Sequence, residues 1–132
     1  MQRQFLSARF QDYTAKLWLR NYNAATDEGL WHGGCVSIPK QVMRKLEVRY
    51  RNRVVPIARG AYCDLAEVNT IAFYKNARGE VVLKIEGGDA HDSYRAYLVF
   101  RRGELVRRRV ESGEFPKNFY EETRYVNIPV VD

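Results

Sequence analysis

The sequence predicts a mainly β protein of the α+β kind: a curved antiparallel meander sheet with one short helix packed on it. Three observations carry that expectation. The pentad Arg78-Gly79-Glu80-Val81-Val82 returns as Arg102-Gly103-Glu104-Leu105-Val106, each time between runs of β-formers. Gly between two such runs supplies the positive φ that a tight hairpin turn needs. Near the N-terminus Tyr13, Ala15, Leu17 and Leu19 alternate with Thr14, Lys16, Trp18 and Arg20, the period of two that marks a strand. Further on, Ser37-Ile38-Pro39-Lys40 carries the start signals of a helix, with Ser37 or Ile38 at the cap and Pro tolerated in the first turn.

Taken in order, residues 4–10 either pair with the strand from Tyr13, with Gln11-Asp12 as the turn, or run into it through a bulge. Residues 21–34 are rich in Asn, Asp and Gly and read as a long loop, interrupted by Leu30-Trp31-His32. The helix is placed at 38–46, because Ile38, Val42, Met43 and Leu46 form a narrow apolar stripe while Lys40 and Arg44 sit together on the outward side. From Glu47 the period changes: Val48, Tyr50, Asn52 and Val54 alternate with Arg49, Arg51 and Arg53, which gives a strand with an arginine face. Pro56 marks an edge or a strand end. After a connection at 59–69 comes the meander: Ile71–Lys75, Val81–Ile85, Tyr94–Arg101, Leu105–Val110 and a last strand from Tyr120. The expected core comprises Leu17, Leu19, Val42, Leu46, Ile71, Phe73, Val81, Leu83, Leu98, Phe100 and Leu105.

A chain of 132 residues, 45% of them apolar, fits a single domain spanning 1–132. It is too short for a cofactor domain plus a substrate domain, and no cofactor is expected. No apolar run reaches the roughly 18 residues of a membrane span, and Met1-Gln2-Arg3-Gln4 leads into no signal-peptide core. The expectation is a cytoplasmic protein that does not engage a membrane. Cys35 and Cys63 then read as two buried thiols rather than a bridge.

Charge is the functional signal. The net charge is +6, and its surplus lies in the first half: residues 1–66 hold 11 Lys/Arg against 5 Asp/Glu, residues 67–132 hold 11 of each. Most of it falls between Lys40 and Arg59, where Lys40, Arg44, Lys45, Arg49, Arg51, Arg53 and Arg59 face Glu47. Such a concentrated field attracts an acidic partner or phosphate. The run Arg107-Arg108-Arg109 is different, because a hairpin to 120–125 sets Arg109 opposite Glu121 and Arg108 opposite Glu122 and cancels the local charge.

The leading expectation is a small non-enzymatic binding protein, of the inhibitor or toxin-neutralising immunity kind, that contacts an acidic protein partner through segment 40–55. Lys40, Arg44, Lys45, Arg49, Arg51 and Arg53 supply the charge, and Trp31, Tyr50 and Tyr62 the aromatic anchors. The alternative is RNA binding through the same arginines around Tyr50. A second alternative is metal-free RNA cleavage with Glu47, Glu67 or His32 as base and His91 as acid. Zinc on His32, Cys35, Cys63 and His91 is disfavoured, because metal ligands usually arrive in close pairs and two of these come singly. Thiol catalysis by Cys35 or Cys63 is disfavoured too, since Cys35 opens an apolar run.

Overall fold

Backbone pairing in a computed structural model, which describes residues 4–27, 31–33, 39–88, 93–113 and 119–126 (119 and 120 by backbone only), sorts the strands into two antiparallel sheets. The first holds β1 (Phe5–Phe10), β2 (Tyr13–Asn21), β3 (Gln41–Tyr50) and β4 (Arg53–Val54). The second holds β5 (Val68–Lys75), β6 (Val81–Gly87), β7 (Tyr94–Arg101), β8 (Glu104–Ser112) and β9 (Phe119–Arg124). In both, spatial order follows chain order, so each is a meander. A single 3₁₀ turn, Arg59–Ala61, lies in the connection between them.

The mainly β, antiparallel expectation holds; the expected single sheet is two, and the helix at 38–46 is absent. Residues 41–46 belong to strand β3 instead, with Pro39 and Lys40 leading into it. The reason is a β-bulge. Trp18 pairs with Lys45 and Leu19 with Met43, so Arg44 has no partner across the ladder. One inserted residue lets both Met43 and Leu46 face inward, a spacing of three that imitates a helical stripe. Beyond the bulge the ordinary alternation resumes, with Leu46 and Val48 buried and Glu47 and Arg49 on the other face. The first pattern and the start of the second, as far as Tyr50, belong to one strand, and the rest of the second crosses a turn into β4. Ser37 and Ile38, the expected cap, lie outside the described residues.

The inner faces of the two sheets meet in one core. Tyr13, Ala15, Leu17, Leu19, Leu46 and Val48 from the first pack with Leu83, Ile85, Ala96, Leu98, Phe100 and Val110 from the second. The expected core residues are buried, except that Ile71 and Phe73 on edge strand β5 are half-buried. Tyr13 ties the sheets at the turn end. Its ring lies 4.7 Å from Tyr50, 5.9 Å from Phe73 and 5.8 Å from Phe100, and its hydroxyl accepts the Gly103 N–H at 2.9 Å.

Both pentads sit at hairpins, as expected, but they turn differently. In β7–β8 the pair Arg101–Glu104 closes directly on Arg102-Gly103, with φ +49° and +79°, the type I′ geometry. In β5–β6 the closing pair is Lys75–Val81, and Asn76 Oδ1 organises the longer loop by accepting the N–H of Arg78 at 3.0 Å and of Glu80 at 2.9 Å.

The two turn glycines differ in surroundings. Both have positive φ, +77° at Gly79 and +79° at Gly103, but a Cβ on Gly103 would lie 2.6 Å from Tyr50 Cδ2 while one on Gly79 meets nothing within 4 Å. Urea denaturation should therefore show Gly79→Ala losing about 1 kcal/mol from conformation alone and Gly103→Ala losing about 1–3 kcal/mol more from the clash. Equal losses would remove Tyr50 as the cause.

Candidate functional site

The structure spreads the basic segment 40–55 along a hairpin rather than on a helix. Lys40 and Arg44 are exposed, at the entry to β3 and at its bulge. Lys45 and Arg49 stand on the outer face of the first sheet, opposite Trp18 and Thr14 of β2. Arg51 is not on a strand face: with Asn52 it forms the β3–β4 turn, at φ +50° and +69°. Arg53 is exposed on β4.

The aromatic candidates fare unevenly. Tyr62 is 8% exposed in the core. Tyr50 packs on Tyr13, with the Arg51 guanidinium 5.1 Å from its ring. Trp31 is half-buried and donates its indole N–H to the Asp27 carbonyl at 2.9 Å. The outer face itself supplies a pair that sequence reasoning passed over: Phe5, 44% exposed, lies opposite Trp18 with ring centres 5.6 Å apart. The alternation of 13–20 puts Trp18 outward, and a partner strand at 4–10 brings Phe5 beside it.

Arg9 and Lys16 share this face with Lys45 and Arg49, around Phe5 and Trp18. Glu47 is the acid among them, held by Arg49 Nε at 2.8 Å. The Lys45 ammonium lies 5.3 Å from the Trp18 ring centre. Arg20, further along, is neutralised by Asp27 at 2.6 Å. Hydrogen bonds from Arg20 and from the Asn23 N–H lower the Asp27 pKa to about 2.

The second sheet's outer face is wired differently. Lys84, Arg95, Arg107 and Arg109 lie 3.1–3.7 Å from Glu86, Glu122 and Glu111. The expected cancellation of 107–109 therefore holds, with the ladder shifted by one residue: Arg109 pairs with Glu122 and Arg108 with Thr123.

Arg108 is the unexpected residue. Its side chain points into the interior at 1% exposure and is held by Asp64 at 2.8 Å, by the Gly60 carbonyl at 3.0 Å, and by Glu121, 2.6 Å from its Nε. Burial opposes the charge, and the carboxylates outweigh it, so the guanidinium stays protonated. His32 completes the cluster, its Nε2 3.9 Å from both Asp64 Oδ2 and Glu121 Oε2. Burial, reinforced by the Arg108 charge, lowers the His32 pKa against the pull of the two carboxylates.

His32, Asp64 and Glu121 offer three donor atoms within 4.8 Å of one another. Arg108 already supplies the positive charge there, bonded to the same Asp64 oxygen, so a guanidinium fits these carboxylates better than a metal ion does. The other acid–base candidates are engaged elsewhere. Glu47 pairs with Arg49, and Glu67 accepts the N–H groups of Lys40 and Gln41 at 2.5 and 2.7 Å. Cys63 is half-buried with a free thiol. Cys35 and His91 lie outside the described residues.

Comparison with known protein families, curated proteins and solved structures finds no match to this chain.

Arg108→Met should leave Asp64 and Glu121 facing each other without a cation and cost about 2–3 kcal/mol, against less than about 1 kcal/mol for Arg107→Met. Denaturant midpoints of the two variants check this. For His32 the folded pKa lies below the unfolded value of about 6.5, so its contribution is present above that pH and is lost as pH falls through the folded pKa. Midpoints measured from pH 8 to pH 5 should fall less steeply in His32→Gln than in the wild type.

Proposed function

We propose that the protein is a non-enzymatic binding protein that docks an acidic protein surface against the outer face of β1–β3, centred on Phe5 and Trp18. One observation carries this reading. Arg9, Lys16 and Lys45 share a face with exposed Phe5 and half-buried Trp18 and make no ion pair to any described residue, whereas the cations named on the other sheet's outer face are matched by neighbouring glutamates. Aromatic side chains ringed by unspent positive charge combine a hot spot with electrostatic steering. Arg44, Lys40 and Arg49 extend the same field along β3. The inhibitory or immunity role is proposed by analogy of size and charge with small non-enzymatic binders, and no motif in these residues carries it.

Nucleic acid is the competing partner, and the Trp18 geometry disfavours it. Phe5 packs at one side of the indole and the Lys45 ammonium lies over the ring. Stacking a base there would first require displacing one of them.

Fluorescence anisotropy across a salt series separates the partners. A labelled glutamate-rich polypeptide should bind with steep salt dependence, and Arg9→Glu/Lys16→Glu/Lys45→Glu should weaken it at least tenfold while the melting temperature stays close to wild type. Tighter binding of single-stranded RNA, lost in the same variant, would replace this reading with the nucleic-acid one. An unchanged affinity in the folded variant would refute both.

A further inference from the structure

At the turn end of the molecule an open cleft of about 820 Å³ lies between the β3–β4 and β7–β8 hairpins. Its walls combine Tyr50, Val55 and Leu105 with Arg51, Arg53 and Arg102. The volume falls in the range of small-molecule sites. Three arginines line it against one glutamate, Glu104, and Arg51 also reaches Asp12 at 3.4 Å, where both groups are well exposed.

The backbone makes this cleft unusual. Arg51 and Arg102 hold the first central position of two type I′ turns, at φ +50° and +49°. That position favours Asn, Asp or Gly, because a longer L side chain is sterically disfavoured in left-handed geometry. Two turns in different sheets thus accept an unfavourable residue, and both place a guanidinium on the same cleft. Gln11 of the β1–β2 turn has a similar φ, +51°, without lining the cleft, so what points to an anionic ligand is the convergence of two cationic turn residues from different sheets on one cleft.

We propose that this cleft binds the phosphate of a phosphorylated small molecule, with Arg53 and Arg102 as the principal phosphate donors and half-buried Tyr50 with exposed Val54 receiving the rest of the ligand. Guanidinium forks match phosphate oxygens in pairs, and the flanking apolar wall excludes water from one side. The inference is separate from the sheet-face reading, since none of Arg9, Lys16 and Lys45 lines the cleft.

The probe is ATP, titrated calorimetrically at low salt, with adenosine as control. ATP should bind and adenosine should not. Arg53→Gln and Arg102→Asn should each weaken ATP at least fivefold, and Arg102→Asn should melt at or above the wild-type temperature because Asn suits the turn. The Arg9→Glu/Lys16→Glu/Lys45→Glu variant should bind ATP as the wild type does. Absence of binding at millimolar ATP, equal binding of adenosine, or unaltered affinity in both folded arginine variants would overturn the proposal. So would a single-stranded oligonucleotide that binds more tightly than ATP and is lost in the same two variants.

Discussion

Arg44 in β3 and Val106 in β8 each stand opposite no residue of the neighbouring strand, and the placement of charge in this protein depends on those two insertions. Trp18 pairs with Lys45 and Leu19 with Met43; Phe100 pairs with Leu105 and Val99 with Arg107. Because side chains alternate across a strand, one extra residue reverses which set faces the core. In β3 the reversal turns Leu46 and Val48 inward and leaves Lys45, Glu47 and Arg49 outside. In β8 it follows inward Leu105 with inward Arg108 and Val110, and leaves Arg107 and Arg109 outside.

The two reversals have opposite electrostatic outcomes. The β3 bulge puts cations on a face where the partner strands contribute Arg9, Lys16, Phe5 and Trp18, so the field there stays open. The β8 bulge buries one arginine, whose charge is paired with Asp64 and Glu121 and whose guanidinium donates to Asp64 and the Gly60 carbonyl. Leaving that guanidinium unpaired would cost several kcal/mol. The connection 59–66 is thereby pinned to β8, and His32 is brought against the same carboxylates through its ladder contact with Leu65.

These insertions also explain what the sequence makes legible. Where alternation is unbroken, as in 13–19, 81–85 and 94–100, strands and inward residues can be read directly, and the repeated pentad marks both hairpins. A bulge leaves no local signature. Met43 and Leu46 three apart look helical, and Arg107-Arg108-Arg109 looks like one solvated run although its middle member is buried. The charge surplus of the first half and the candidates Lys45 and Arg49 are visible from composition. Phe5, Arg9 and Lys16 are not, because they join the site across the β1–β2 and β2–β3 ladders, whose registers only the fold reveals. Arg51 looks like a strand residue by alternation and is a turn residue because the chain reverses at Arg51-Asn52.

The most direct test is a residue-resolved nuclear magnetic resonance titration of the ¹⁵N-labelled protein with a glutamate-rich polypeptide. The account predicts that the largest amide shifts fall on Ser7, Arg9, Thr14, Lys16, Trp18 and Lys45, with the Lys84–Arg95–Arg109 face unperturbed. Shifts concentrated on that second face, or spread evenly over both sheets, would contradict it.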